Sequence, residues 1–158
     1  MWCTSGIAGK AGVRFQVSGV SWPDAFCFSM AGIMLRSFRE LAVWQKSMQL
    51  ATAIYKLTQG FPREETYGLT SQLRRAAVSI TSNIAEGHGR LGIAEYRHFL
   101  WIARGSNFEL QTQLEIADSL KMGDSRLLKE SEALSQEMGK MLYPLIDKLR
   151  PKAQARTA

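Results

Sequence analysis

The residues most suggestive of chemistry lie in one short stretch. Gly87-His88-Gly89-Arg90-Leu91-Gly92 matches the G-x-G-x-x-G spacing of a phosphate-cradling turn, and Glu109 follows at the distance of a ribose-binding carboxylate. That chemistry needs a strand before the turn and a helix after it, so that bare backbone N–H groups meet a pyrophosphate. Here a helical pattern precedes the glycines and no strand pattern surrounds them. The spacing therefore predicts a turn that ends one helix and begins another. His88 and His98 are not at the i, i+4 spacing of a helical zinc pair. Glu95 and His98 form one E-x-x-H pair, whereas a di-metal bundle needs that pair on two helices and glutamates from the other two. Arg90 and His98, the nearest approach to an Arg–His ribonuclease pair, straddle the glycine break. Cys3 and Cys27 form no C-x-x-C and lie far from both histidines. No catalytic residue, metal site or cofactor is expected, and the chain reads as a non-enzyme.

The elements that would hold these residues are helical. The chain has 158 residues, 46% of them hydrophobic, enough for one domain with a single core. Its formal net charge of +6 favours a polyanionic partner such as RNA or DNA. Residues 1–33 mix Gly, Ser and scattered aromatics without a period of 2 or 3.6, and read as a disordered or non-native N-terminal extension. Met34 would then be the natural first residue. The arm has no basic start and unbroken apolar stretch of a secretory signal, and no apolar run long enough for a membrane span. Residues 34–150 read as a bundle with a flexible basic tail at 151–158. A cysteine-free core fits a cytoplasmic setting.

Four periodic segments follow one another. The first, Phe38 to Thr58, carries Leu41, Trp44, Met48, Ala51, Tyr55 and Thr58 at steps of three and four, which predicts its buried face. The second ends near Glu86 and presents Leu69, Leu73, Ala76, Ala77, Ile80 and Ile84. The third, about Ile93 to Met122, presents Tyr96, Phe99, Ala103, Ser106, Leu110, Leu114 and Ala117. Gly123 breaks it, Asp124 or Ser125 can cap the fourth, and Leu128, Ser131, Ser135, Met138, Leu142, Leu145 and Leu149 form the last seam. Pro144 inside that seam predicts a kink. Short breaks between long amphipathic segments give an all-α, antiparallel up-down four-helix bundle.

Some helices have more apolar faces than a bundle needs. Val43, Leu50, Ile54 and Leu57 lie outside the predicted buried face of the first helix. Arg97, Trp101, Arg104 and Phe108 form a second stripe on the third, rotated by about 130° from its core face. Surplus apolar faces point to packing between subunits, so Val43, Leu50, Ile54, Trp101 and Phe108 are the expected oligomer interface. Trp101 is open to stacking on a base or to burial between subunits, with burial expected. Arg74, Arg90, Arg97 and Arg104 are the expected phosphate contacts, because guanidinium forks suit phosphate oxygens. Glu109, between Ile102 and Ile116 at heptad spacing, needs a partner if buried, and Arg75 or Asn83 could supply it. The alternative is a solvated surface charge.

The segments Leu41-Ala42-Val43-Trp44-Gln45-Lys46, Tyr67 to Ala77 and Ser82-Asn83-Ile84-Ala85-Glu86-Gly87, then Gly105-Ser106 and Glu109 to Leu114, resemble the four-helix bundle proteins encoded by intervening sequences in bacterial 23S rRNA genes. The resemblance runs from Phe38 to Leu149. It departs at Thr81, where the family has proline, at Gly92, where it has serine, and at Pro144. It implies a ring-shaped homopentamer and kinship with the accessory variability determinant of diversity-generating retroelements, a basic pentamer that binds a reverse transcriptase and RNA. Two functions are expected from it. One is a homo-oligomeric, nucleic-acid-binding accessory protein; the other is an interaction scaffold engaging an enzyme partner such as a reverse transcriptase.

Overall fold

The computed structural model describes residues 37–151 and, upstream, two short strands. Gln16–Val17 pairs antiparallel with Val20–Ser21, Gln16 opposite Ser21. The expectations for the rest of residues 1–33, and for the tail beyond residue 151, lie outside the described residues. Ser37 opens the bundle region, its hydroxyl accepting from the Arg39 N–H over the single 3-10 turn Phe38–Glu40. Four helices follow: α1 Ala42–Thr58, α2 Leu69–His88, α3 Ile93–Ser119 and α4 Ser125–Lys148. A second 3-10 turn, Arg63–Thr66, leads from Pro62 into α2. Asp124 caps α4, its carboxylate accepting from the backbone N–H groups of Arg126 and Leu127. These bonds hold the carboxyl below its ordinary range, Leu127 contributing most and Arg126 next. The helix continues through Pro144 to Lys148.

Each helix packs on its sequence neighbours, and α1 also meets α4, which closes the bundle. At one end the chain turns tightly from α2 into α3. A Cβ on Gly87 would stand 2.7 Å from Phe99 Cβ and 3.0 Å from the Tyr96 ring, so only glycine permits this approach. Halfway along, the Ser79 and Ser106 hydroxyls share a hydrogen bond of 2.8 Å. Between α3 and α4, Asn107 Nδ2 donates to the Ser135 carbonyl and Ser135 Oγ donates to Asn107 Oδ1, both at 3.1 Å. Lys46 on α1 reaches Glu137 on α4 at 2.8 Å, and this hydrogen-bonded charge lowers the Glu137 carboxyl below its usual range.

The core of α2 and α4 follows their predicted stripes, with Leu73, Ala76, Ala77, Ile80 and Ile84 facing Leu128, Met138 and Leu142 in one cluster. On α3, Leu100 joins the buried positions and Phe99 is only half-buried against Gly87. Helix α1 is turned by about a third of a revolution from its predicted orientation, so that Leu41, Trp44 and Ala51 are only partly buried against the core. Val43, Leu50, Ile54 and Leu57 are its buried face, with Leu50 and Ile54 fully enclosed, while Met48 and Tyr55 are exposed. Both stripes keep steps of three and four, so periodicity does not separate them. Chemistry does: Val, Leu and Ile bury completely without stranding a polar atom, whereas Trp and Tyr favour the edge of a core.

Candidate functional site

Charge is unevenly distributed along the bundle. Residues 38–49, 82–107 and 135–150 carry eight Lys and Arg against five Asp and Glu. Residues 50–81 and 108–134 carry seven against eight. There Glu132 is pushed up from the ordinary carboxylate range, first by partial burial and then by the charges of Glu115 and Asp118. Arg90, Arg97 and Arg104 all belong to the more basic set.

Near the middle of α3, Arg104 has an unusual setting. Its guanidinium carbon lies 5.0 Å from the centroid of the Trp101 ring, 4.9 Å from Phe108 and 5.6 Å from Tyr143, all within cation–π range. Trp101 and Phe108 flank Arg104 on α3 and Tyr143 comes across from α4. All three rings are open to solvent, at 40%, 50% and 54% exposure, which leaves ring surface for a ligand. The residues expected to bind phosphate and those expected to pack between subunits therefore share one surface on α3. Tyr143 was not anticipated, because its spacing on α4 belongs to no apolar stripe and only the packing of α4 on α3 brings it to Arg104.

The remaining expected phosphate contacts are dispersed. Arg97 is half-buried, with its Nε enclosed and without a hydrogen-bond partner. Arg90 pairs with Glu86 and lies 5.1 Å from the Phe99 centroid. Arg74 is at the other end of the bundle, where its Nε donates to Thr58 Oγ1 at 2.9 Å and its guanidinium covers Tyr55. The structure does not bring Arg74 together with the other three.

Three expected interface residues are corrected. Val43, Leu50 and Ile54 are interior, and a side chain already covered by its own bundle has no surface to offer a second subunit. The polar network is also revised. Glu109 is exposed, with Arg75 at 3.9 Å and Gln113 Nε2 donating to it at 3.1 Å. Asn83 turns instead to Ser79, donating to its carbonyl at 2.8 Å and its hydroxyl at 3.1 Å. Glu109 is thus a solvated charge, and its pair with Arg75 contributes little.

Two further surface features stand out. Between α1 and α2 runs an apolar groove of about 440 Å³, lined by Met48, Ala51, Thr52, Tyr55, Val78, Thr81 and Ser82. On α3, Gly105 is exposed in mid-helix, and a Cβ there would meet nothing within 4 Å. A glycine inside a helix costs about 1 kcal/mol relative to alanine, and no contact within the bundle requires one here. Among the described residues no cluster of His, Cys, Asp and Glu could hold a metal ion, and no helix is long and apolar enough to cross a membrane.

This fold has known counterparts. The family described as 23S rRNA-intervening sequence protein matches residues 39–144, from the turn before α1 to Pro144. The chain belongs to that family. The intervening-sequence fold is also seen in the crystal structure of a protein of unknown function from the S23 ribosomal protein family of Bacteroides thetaiotaomicron. That protein is 24% identical to this intervening-sequence chain, with a TM-score of 0.62, over 66% of this chain and 98% of the other. No curated protein matches the chain. The Arg104 cluster falls inside the family match, as do Gly105 and the α1–α2 groove.

Proposed function

We propose that this intervening-sequence protein is a non-enzymatic, homo-oligomeric accessory protein of the cytoplasm that binds RNA or DNA at the α3–α4 surface. The observation that carries this reading is Arg104 set among three exposed rings on the α3–α4 surface. Guanidinium and aromatic faces together offer a phosphate contact and stacking surfaces for bases. Arg97 and Arg90 supply further positive charge, whereas Arg74, at the far end, is not part of this surface. On the same reading the bundle is antiparallel and up-down, which the contacts Lys46–Glu137 and Ser79–Ser106 support. Its copies form the closed five-fold ring that the family resemblance implies. With Val43, Leu50 and Ile54 interior, the α1 surface left for subunit contact is Met48 and Tyr55, beside Val78 of α2.

A titration of labelled RNA and DNA with the full chain tests the proposal. Affinity should fall steeply as salt rises from about 50 to about 200 mM, as phosphate contacts release counterions. Reversing both Arg97 and Arg104 to Glu should remove binding while the assembly measured by light scattering persists. Salt-independent binding, or none at about 50 mM salt, overturns the reading. A second reading, a scaffold for an enzyme partner such as a reverse transcriptase, is favoured by the α1–α2 groove, whose apolar lining suits a partner's amphipathic segment.

A further inference from the structure

Gly105 is unexplained by the bundle that contains it. It lies in the interior of a 27-residue helix, exposed, with open space where a side chain would stand. Its neighbours supply the context. At 100° per residue, Trp101 and Phe108 lie within about 20° of one line along α3 and about 10.5 Å apart. Arg104 flanks that line on one side and Gly105 on the other. The result is a notch of bare helix between two exposed rings, with a cation on its opposite shoulder.

We propose that an unpaired nucleic-acid strand crosses α3 at this notch, its bases stacking on Trp101 and Phe108, a phosphate on Arg104 and the strand lying close over Gly105. This rests on the nucleic-acid reading above and adds to it a strand preference and a specificity-determining residue. Exposed ring faces stack on unpaired bases, whereas a duplex keeps its bases stacked on one another and presents phosphates. A second copy of the chain fits the notch less well. An apolar partner surface closing over Arg104 would bury a guanidinium, which needs a counter-charge. The apolar groove this chain could offer, between α1 and α2, has no acidic residue in its lining. A phosphate supplies that charge and bases cover the rings.

The experiment uses the full chain with fluorescently labelled oligonucleotides of about 20 nucleotides, as unpaired DNA, unpaired RNA and duplex DNA, read by anisotropy. The unpaired strands should bind about ten-fold or more tightly than the duplex. Gly105→Leu fills the notch, and should weaken unpaired-strand binding about ten-fold with duplex binding unchanged. Its melting temperature should hold or rise, because leucine is the better helix former and nothing in the bundle occupies that space. Gly105→Ala should rank between the two. If duplex and unpaired strands bind alike and Gly105→Leu changes neither, while reversal of Arg97 and Arg104 abolishes both, the notch is wrong and the nucleic-acid reading stands. If nothing binds, both are wrong. If Gly105→Leu changes the oligomeric state, the notch belongs to a contact between copies and the proposal is overturned.

Discussion

Two surfaces of this intervening-sequence protein expose apolar side chains to about the same degree and differ in almost everything else. On α1 and α2, Met48, Tyr55 and Val78 are 41–44% exposed around a concave groove that Ala51, Thr52, Thr81 and Ser82 also line. On α3 and α4, Trp101, Phe108 and Tyr143 are 40–54% exposed and gather about a guanidinium. Exposed apolar area alone would assign both surfaces to protein contact. The setting of the charge separates them: at the groove the Arg74 guanidinium over Tyr55 already donates to Thr58 Oγ1, whereas Arg104 stands among three exposed rings and needs an anion wherever it is covered.

The largest expected effect tests whether the α1 groove face is truly surface. Leu50→Ala or Ile54→Ala should cost about 2–5 kcal/mol of stability in denaturant titration, since each empties a fully enclosed site. Met48→Ala, on the exposed face of the same helix, should cost less than about 1 kcal/mol. Equal losses would mean that the two faces of α1 are not distinct. Next in size is charge reversal. Arg97→Glu with Arg104→Glu should weaken nucleic-acid binding at least about 100-fold at low salt, and Tyr55→Ala in the groove should leave it within about two-fold. A comparable loss from Tyr55→Ala would erase the contrast between the surfaces. Trp101→Ala should weaken unpaired-strand binding about ten-fold by removing one stacking face, with little change in melting temperature. The smallest effect is on acid stability. Asp124 and Glu137 have carboxyls lowered in the folded state, so their contribution is fully present above the ordinary value near 4 and is lost as pH falls through the lowered values. Asp124→Asn keeps a capping oxygen without the charge, and should flatten the fall of melting temperature below about pH 4.

The helices themselves were legible because their breaks are chemically emphatic. Gly60-Phe61-Pro62, the glycines after Glu86 and Gly123-Asp124 stop and restart the chain close to where the structure does. The orientation of α1 was not legible, because two stripes about 120° apart share one period and only the neighbouring helices choose between them. For the same reason Val43, Leu50 and Ile54 were misread as interface. On α3 the second stripe was visible, Arg97 and Arg104 included, but not its assembly. Tyr143 completes the cluster from another helix, and no spacing along α3 reports a side chain arriving from α4. Asn83 illustrates a local competitor: a hydroxyl one turn back, Ser79, satisfies its amide before Glu109 can.

The paired bonds between Asn107 and Ser135 have a consequence for this surface. The Asn107 amide gives to the Ser135 carbonyl and receives from the Ser135 hydroxyl, so α3 and α4 are keyed to one another rather than merely greased together. Sliding either helix by a single turn, about 5.4 Å, would break both bonds and bring the next polar residue, Gln111 on α3 or Ser131 on α4, into their place. Each bond favours the observed register by about 1 kcal/mol. Any ligand that spans Phe108 on α3 and Tyr143 on α4 would therefore rest on two helices joined beneath it by polar bonds in the core, not by apolar contact alone.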